Sequence, residues 1–297
     1  DPCQYFQNQR LSYPEYENWS PQNADGQYGG EYSMRGALAH SVNTISAQVL
    51  LQTGIEPTVK LAHQMGIHNE IPKVPSIALG TANLSLLEMV AAYTTFANKG
   101  RYNPPVYLSK IKEQSGAVIF QHVPAPSTQA FSEENAAIML ELLKGVVEEG
   151  SASTLRSQYG LKMEIAGKTG TTQNHADGWF IGITPDLVTG VWVGAESPLV
   201  RFRTLALGQG AKTALPIWGE FMRRVSKETK VQYSRFEALP YYLAQRLSCA
   251  SFRYEQEDQP EENESFFERI FKRKKEKGKK KGWKIFGGWG KKDKSRD

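Results

Sequence analysis

An α+β domain is the fold class that the 297-residue sequence predicts, and three observations predict it. Helix-period apolar patterns dominate the first half, three adjacent β-rich segments follow residue 160, and one more helical pattern closes the body. Strands gathered in one stretch indicate a meander with helices packed on it, whereas alternating strands and helices would indicate βαβ units. A hydrophobic fraction of 40% is enough for a sizeable core.

The elements follow in order. "NWSPQNADGQYGGEYS" is dense in Pro, Asn, Asp and Gly and reads as a loop. From Met34, "MRGALAHSVNTISAQVLLQTG" reads as one helix, with Leu38, Val42, Ile45, Val49 and Leu50 near helical spacing and Gly54 as its stop. "LSLLEMVAAYTTFANKG" is a second helix, with Ser85 as N-cap, Glu88 closing a capping box and Gly100 ending it. "VYLSKIKEQSGAVIF" alternates and turns at "QSG", as a hairpin does. "SEENAAIMLELLKGVVEEG" is another helix, with Ser132 as cap and Asn135 where the box acid would stand. "LKMEIAGKTGTT", "GWFIGIT" and "LVTGVWVGAE" are three strands, the last two joined through Pro185 and Asp186. "ALPIWGEFMRRVSKETK" closes the body as a helix, with Ile217, Phe221 and Val225 at four-residue spacing.

Charge divides the chain at its end. Residues 254–268 hold seven acids and no base, and residues 269–297 hold fourteen bases and three acids, leaving 22 bases and 21 acids in residues 1–253. The net charge of +5 and the pI of 9.0 therefore belong to the tail. The expected division is a domain over residues 1–250 and a charged, disordered tail over residues 251–297, acidic and then basic. Lysines mixed with Phe271, Trp283, Phe286 and Trp289 suit an anionic membrane surface or an acidic wall polymer, and a solvated tail is the alternative. There is no run of eighteen apolar residues and no signal-peptide pattern at the start. Cys3 and Cys249 lie at opposite ends without metal-ligand spacing, so a metal site is not expected and a disulfide between them stays open.

"IAGKTGTTQNHADGWF", residues 165–180, holds glycine, lysine and threonine together and admits two readings. A phosphate-binding loop requires a glycine five positions before Gly167, where Lys162 stands, and a helix directly after, where turn residues and a strand follow. The nucleotide reading fails on both counts. The other reading is a strand whose Lys168, Thr169, Gly170 and Thr171 edge an acyl-transfer site. A second motif, "SVN" at Ser41–Asn43, supports it, because serine-x-x-lysine, serine-x-asparagine and lysine-threonine-glycine form the motif set of class A β-lactamases and penicillin-binding proteins.

With those two motifs in the right chain order, the sequence resembles the transpeptidase domain of class A, bifunctional penicillin-binding proteins. The stretches "NWSPQNADGQYGGEYSMRGALAHSVN", "PSIALGTANLSLLEMVAAYTTFANKG", "AGKTGTTQNHADGWFIGITPDLVTGVWVG" and "ALPIWGEF" carry the resemblance over residues 18–225. It implies an antiparallel sheet flanked by helices, shortened at its N-terminal side, and a serine-type D,D-transpeptidase that cross-links peptidoglycan stem peptides and binds β-lactams. In that family Lys168 supplies positive charge and mobile protons, Thr169 and Thr171 bind the substrate carboxylate, and the Thr171 N–H is an oxyanion donor. Gly170 lets substrate lie against the strand, Ser41 relays a proton and Asn43 binds a substrate amide. No cofactor or metal is implied, nucleic acid is not an expected partner, and the location is the extracytoplasmic face of a bacterial inner membrane.

The nucleophile does not follow the pattern. Ser12, Ser20 and Ser33 are followed three residues later by Glu15, Asn23 and Gly36, so none begins a serine-x-x-lysine ahead of Ser41. Ser109 to Lys112 is the one literal match, and it lies in a strand-like alternation after the serine-x-asparagine. The expectation is that these 297 residues lack their serine nucleophile and the anchor and glycosyltransferase domain that precede it in the family. A D,D-carboxypeptidase, a β-lactamase-like hydrolase and a non-catalytic binding module are the alternative functions. His175, Asp177, Trp179, Trp192 and Trp218 are read as loop polarity, turn geometry and packing rather than as site residues.

Overall fold

The computed structural model describes residues 1–228 and 234–254, and residues 1–254 form one compact unit. Strands β1 (Tyr5–Gln7) and β2 (Glu31–Ser33) pair antiparallel and lead into helices α1 (Met34–His40), α2 (Asn43–Thr53) and α3 (Ile55–Gln64). Helix α4 (Leu86–Ala97) follows a 3-10 turn at Pro75–Leu79. Next come β3 (Arg101–Tyr102), β4 (Lys110–Lys112), β5 (Val118–Gln121) and β6 (Thr128–Gln129), in two-stranded ladders β3–β6 and β4–β5. Helices α5 (Glu133–Glu148) and α6 (Thr154–Ser157) precede the meander β7 (Ala166–Thr171), β8 (Asp177–Ile183) and β9 (Val188–Gly194). Helices α7 (Leu205–Gly208), α8 (Ala214–Val225) and α9 (Tyr241–Arg246) and strand β10 (Phe252–Arg253) complete the unit, β10 pairing with β2.

The meander is the centre of the fold, and its alternation decides what each face meets. Phe180 points to the face covered by α8, where Trp218 and Met222 pack with Val146 and Val147 of α5 and Leu155 of α6, all fully buried. The Phe180 and Trp218 rings meet edge to face at 5.1 Å, an arrangement that adds about 1 kcal/mol to area burial. Ile183 and Ala166 face the other way, into a cluster with Leu143 and Met139 of α5 and Tyr93 and Phe96 of α4. Helix α5 thus contributes to both layers and lies against edge strand β7.

The capping expectations hold. Ser85 Oγ accepts from Glu88 N–H while the Glu88 carboxylate accepts from Ser85 N–H, a complete capping box, and Ser132 Oγ accepts from Asn135 N–H. The hairpin turning at "QSG" and the three-strand meander are present as expected.

Three expectations change. The single helix from Met34 to Gly54 is two helices, because Ser41 takes a left-handed conformation (φ 58°, ψ 48°) and Val42 is extended. Ser41 N–H donates to Leu38 O and Val42 N–H to Ala37 O, the bonding of a Schellman ending, so α1 stops and α2 restarts at Asn43. In α8 the buried residues are Ala214, Leu215, Trp218, Gly219 and Met222, while Ile217 (54%) and Phe221 (46%) are exposed. The helix carries two apolar stripes, and the one holding the larger side chain faces the sheet. The compact unit also runs past residue 250, since Phe252 and Arg253 pair with Tyr32 and Glu31.

The open cysteine question is answered: Cys3 and Cys249 form a disulfide across a separation of 246 residues. The tail expectation falls on residues 255–297, outside the described residues.

Candidate active site

The break between α1 and α2 presents Ser41 at a corner. A serine held at positive φ stores strain of order 1–3 kcal/mol, a cost found where a side chain must be aimed. Asn43 opens α2, and its amide Nδ2 donates to Gln22 O at 2.7 Å, while Asn23 Oδ1 accepts from Thr44 N–H at 3.2 Å. The Asn-rich loop ahead of β2 is therefore a brace for the corner, which its composition alone did not reveal.

Opposite the corner runs β7, an edge strand of the meander. Lys168 pairs with Ile181 and Gly170 with Trp179, and the two-residue period sends the Lys168 side chain to the face opposite Phe180. Lys168 Nζ donates to Ser41 Oγ at 2.8 Å and to Thr169 O at 2.8 Å, so two motifs 127 residues apart in the chain meet in space. Partial burial, with no acidic partner among the described residues, pushes the Lys168 ammonium down from 10.5 to about 8. Near neutral pH it can therefore both hold and release a proton, and Ser41 is the hydroxyl next to it.

The other residues of the strand are placed as follows. Thr169 Oγ1 shares a 2.7 Å hydrogen bond with Ser151 Oγ, and Thr171 Oγ1 accepts from Gly210 N–H at 2.9 Å. At Gly170 a Cβ would press on Trp179 Cβ at 3.1 Å, so the neighbouring strand already favours glycine there. Thr172 N–H donates to Asp177 O on β8; alternation along an antiparallel ladder then turns the Thr171 N–H away from β8, to the open edge of β7. Ser109 lies just before β4 on an exposed hairpin, and Lys112 is exposed as well.

A cavity of about 950 Å³ opens on this strand from Lys168 to Thr172. Its walls are apolar side chains of α3, the loop after it, α4, α5 and β8, among them Val59, Ile67, Met89, Phe96, Met139 and Ile181. It is at the upper end of the volumes that bind small molecules.

A family model described as the penicillin-binding protein transpeptidase domain matches residues 2–196, which include the Asn-rich brace, Ser41, Ser151 and strands β7 to β9. The chain belongs to the penicillin-binding protein transpeptidase family. Penicillin-binding protein 1A of Aquifex aeolicus is 36% identical over 211 residues, 71% of this chain and 28% of that protein. Penicillin-binding protein 1A of Neisseria meningitidis is 35% identical over 211 residues, 69% of this chain and 26% of its own length. The chain thus spans about a quarter of the curated relatives it matches. The crystal structure of penicillin-binding protein 1A from Haemophilus influenzae superposes with a TM-score of 0.71 at 25% identity, over 81% of this chain and 41% of that one. The Mycobacterium tuberculosis PonA1 structure in complex with penicillin V shares the fold, with a TM-score of 0.65 at 24% identity over 80% and 65% of the two chains.

Within this transpeptidase unit the remaining singled-out residues have plain positions. Asp177 Oδ2 accepts from the indoles of Trp179 (3.3 Å) and Trp192 (2.9 Å), and His175 takes positive φ in the loop between β7 and β8. Sequence reasoning did not single out Ser151, Gly210 or Gln22. Gln22 and Gly210 act through backbone atoms, which leave no residue-type signal, and Ser151 is one of several serines after α5.

Proposed function

We propose that this chain carries the proton-relay and carboxylate-binding wall of a peptidoglycan D,D-transpeptidase. The observation that supports the reading is the 2.8 Å hydrogen bond from Lys168 Nζ to Ser41 Oγ. In the reaction, a serine attacks the carbonyl of the penultimate D-alanine of a stem peptide, the terminal D-alanine leaves with a proton, and an amine of a neighbouring strand takes the acyl group. Lys168 and Ser41 are the relay that delivers the proton to the leaving amine and removes one from the entering amine. An ammonium held down to about 8 suits both directions near neutral pH. The Thr171 N–H, facing the open edge, is the oxyanion donor, a contribution of about a hundredfold to a thousandfold in rate. Thr169 and Thr171 each keep a hydroxyl that, with the Lys168 charge, suits a carboxylate, and the Gln22 anchor fixes the Asn43 amide plane for a substrate backbone amide.

No serine-x-x-lysine stands ahead of Ser41 in the sequence, so no residue of this chain is assigned as the nucleophile. Ser109, the serine of the one literal serine-x-x-lysine, is on the exposed hairpin before β4, away from Lys168 and Ser41 in the fold's meander-facing site. The site with its serine in place is a β-lactam target, as the penicillin V complex of PonA1 is for that protein. The Cys3–Cys249 disulfide supports an oxidising, extracytoplasmic location, and no helix among the described residues is long and apolar enough to cross a membrane.

Incubation of the 297-residue chain with a fluorescent penicillin is the test. The reading expects no covalent label, and a label at Ser109 would overturn the assignment of the nucleophile.

A further inference from the structure

The tripeptide at residues 149–151, after α5, touches both halves of the site. A Cβ on Gly150 would overlap Ala39 O, so only glycine lets the turn lie against the last turn of α1, two residues before Ser41. Ser151 N–H donates to that same Ala39 O at 3.0 Å, and Ser151 Oγ shares a 2.7 Å hydrogen bond with Thr169 Oγ1 on β7. Glu149, two residues before Ser151, accepts from Ser251 Oγ at 2.8 Å and lies 3.7 Å from Arg35 of α1. One short turn therefore joins the helix that ends at Ser41 to the strand that carries Lys168.

We propose that Ser151 is a positioning residue of the acyl-transfer site. Its backbone holds the end of α1 and its hydroxyl holds β7, and together these set the separation of Ser41 from Lys168. The hydroxyl has a second consequence. When Ser151 Oγ donates to Thr169 Oγ1, the Thr169 proton remains free for an anion in the cleft, so Ser151 also orders the donor that a substrate carboxylate would meet. The inference rests on the reading of Lys168 and Ser41 as the relay of a transpeptidase, and it adds a residue that touches neither substrate nor nucleophile.

The test uses the 297-residue chain and needs no acylation. Lysine side chains are labelled for NMR and the Lys168 resonance is titrated in the wild type and in Ser151→Ala, Ser151→Thr and Thr169→Val, with thermal midpoints measured alongside. Partial desolvation holds the wild-type Lys168 ammonium down to about 8. Loss of the hydroxyl loosens β7 from α1 and admits water, so Ser151→Ala and Thr169→Val move the midpoint upward toward 10.5, and Ser151→Thr, which keeps the hydroxyl, returns it to the wild-type value. Thr169→Val removes the same bond from the other side and keeps the test decisive if Ser151→Ala does not fold. A folded Ser151→Ala or Thr169→Val protein that titrates as the wild type does would overturn the proposal. Failure of the full-length protein to bind penicillin would instead overturn the transpeptidase reading and leave this titration unaffected.

Discussion

Replacing Lys168 with methionine keeps the length of the side chain and removes its charge, and the structure fixes how the effect on stability must depend on pH. Burial lowers the Lys168 ammonium from 10.5 to about 8, so the unfolded chain binds more protons than the folded one between those values. The sign follows. The buried charge costs most below pH 8, and the cost is relieved as pH rises from 8 to 10.5. At about 1.4 kcal/mol per pKa unit, the full cost at pH 7 is about 3 kcal/mol, and at pH 10 it has fallen below about 1 kcal/mol. The variant carries no such cost at any pH, while it loses the bonds to Ser41 Oγ and Thr169 O at every pH. The difference in unfolding free energy between wild type and Lys168→Met should therefore change by about 2.5 kcal/mol from pH 7 to pH 10, in favour of the wild type. For a unit of this size that is a relative shift of about 5–10 °C in Tm. Urea or thermal unfolding of both proteins at pH 7, 8, 9 and 10 measures it. Parallel stability curves over that range would refute the assignment of Lys168 as a partly buried, depressed amine.

Two further outcomes are expected. Reducing Cys3–Cys249, or replacing both cysteines with serine, frees a loop whose ends are 246 residues apart; chain entropy sets an upper value of about 5 kcal/mol for the loss, and a Tm drop under reductant measures it. Glu88 is held down to about 2: burial opposes this, and the N–H groups of Asn69, Ser85 and His68 with the Ser85 hydroxyl outweigh it. Its contribution is full above about 4.5 and is lost as pH falls through 2, so Glu88→Gln should be less stable than the wild type at pH 6 and match it near pH 2, read by urea unfolding.

Local grammar in the sequence carried most of the elements. Ser85 with Glu88, and Ser132 ahead of α5, are caps whose partners stand three residues away, and a cap read at that range needs nothing from the rest of the fold. The break at Ser41 was not legible for the opposite reason. Leu38, Val42 and Ile45 keep helical spacing across it, and the left-handed serine is stable only because the Gln22–Asn23 brace and Lys168 hold its surroundings from elsewhere in the chain. The same holds for α8, where two apolar stripes compete and only the meander decides that Trp218 is inside. At the site, "SVN" and "KTG" were readable as motifs, and their 2.8 Å contact is what the fold adds. The roles of Gly210, Gln22 and Ser151 come from backbone groups and from one hydroxyl among many, and no pattern of residue types marks them.

The central claim is that Lys168 and Ser41 form one proton relay for acyl transfer. Acylation by a fluorescent penicillin, measured as a second-order rate constant on the full-length product of the gene and on its Lys168→Met and Ser41→Ala variants, tests it most directly. The account predicts a labelled wild type and a rate lower by about a hundredfold or more in each variant, the range in which general acid–base groups contribute. Variants that fold and are acylated at the wild-type rate would contradict it.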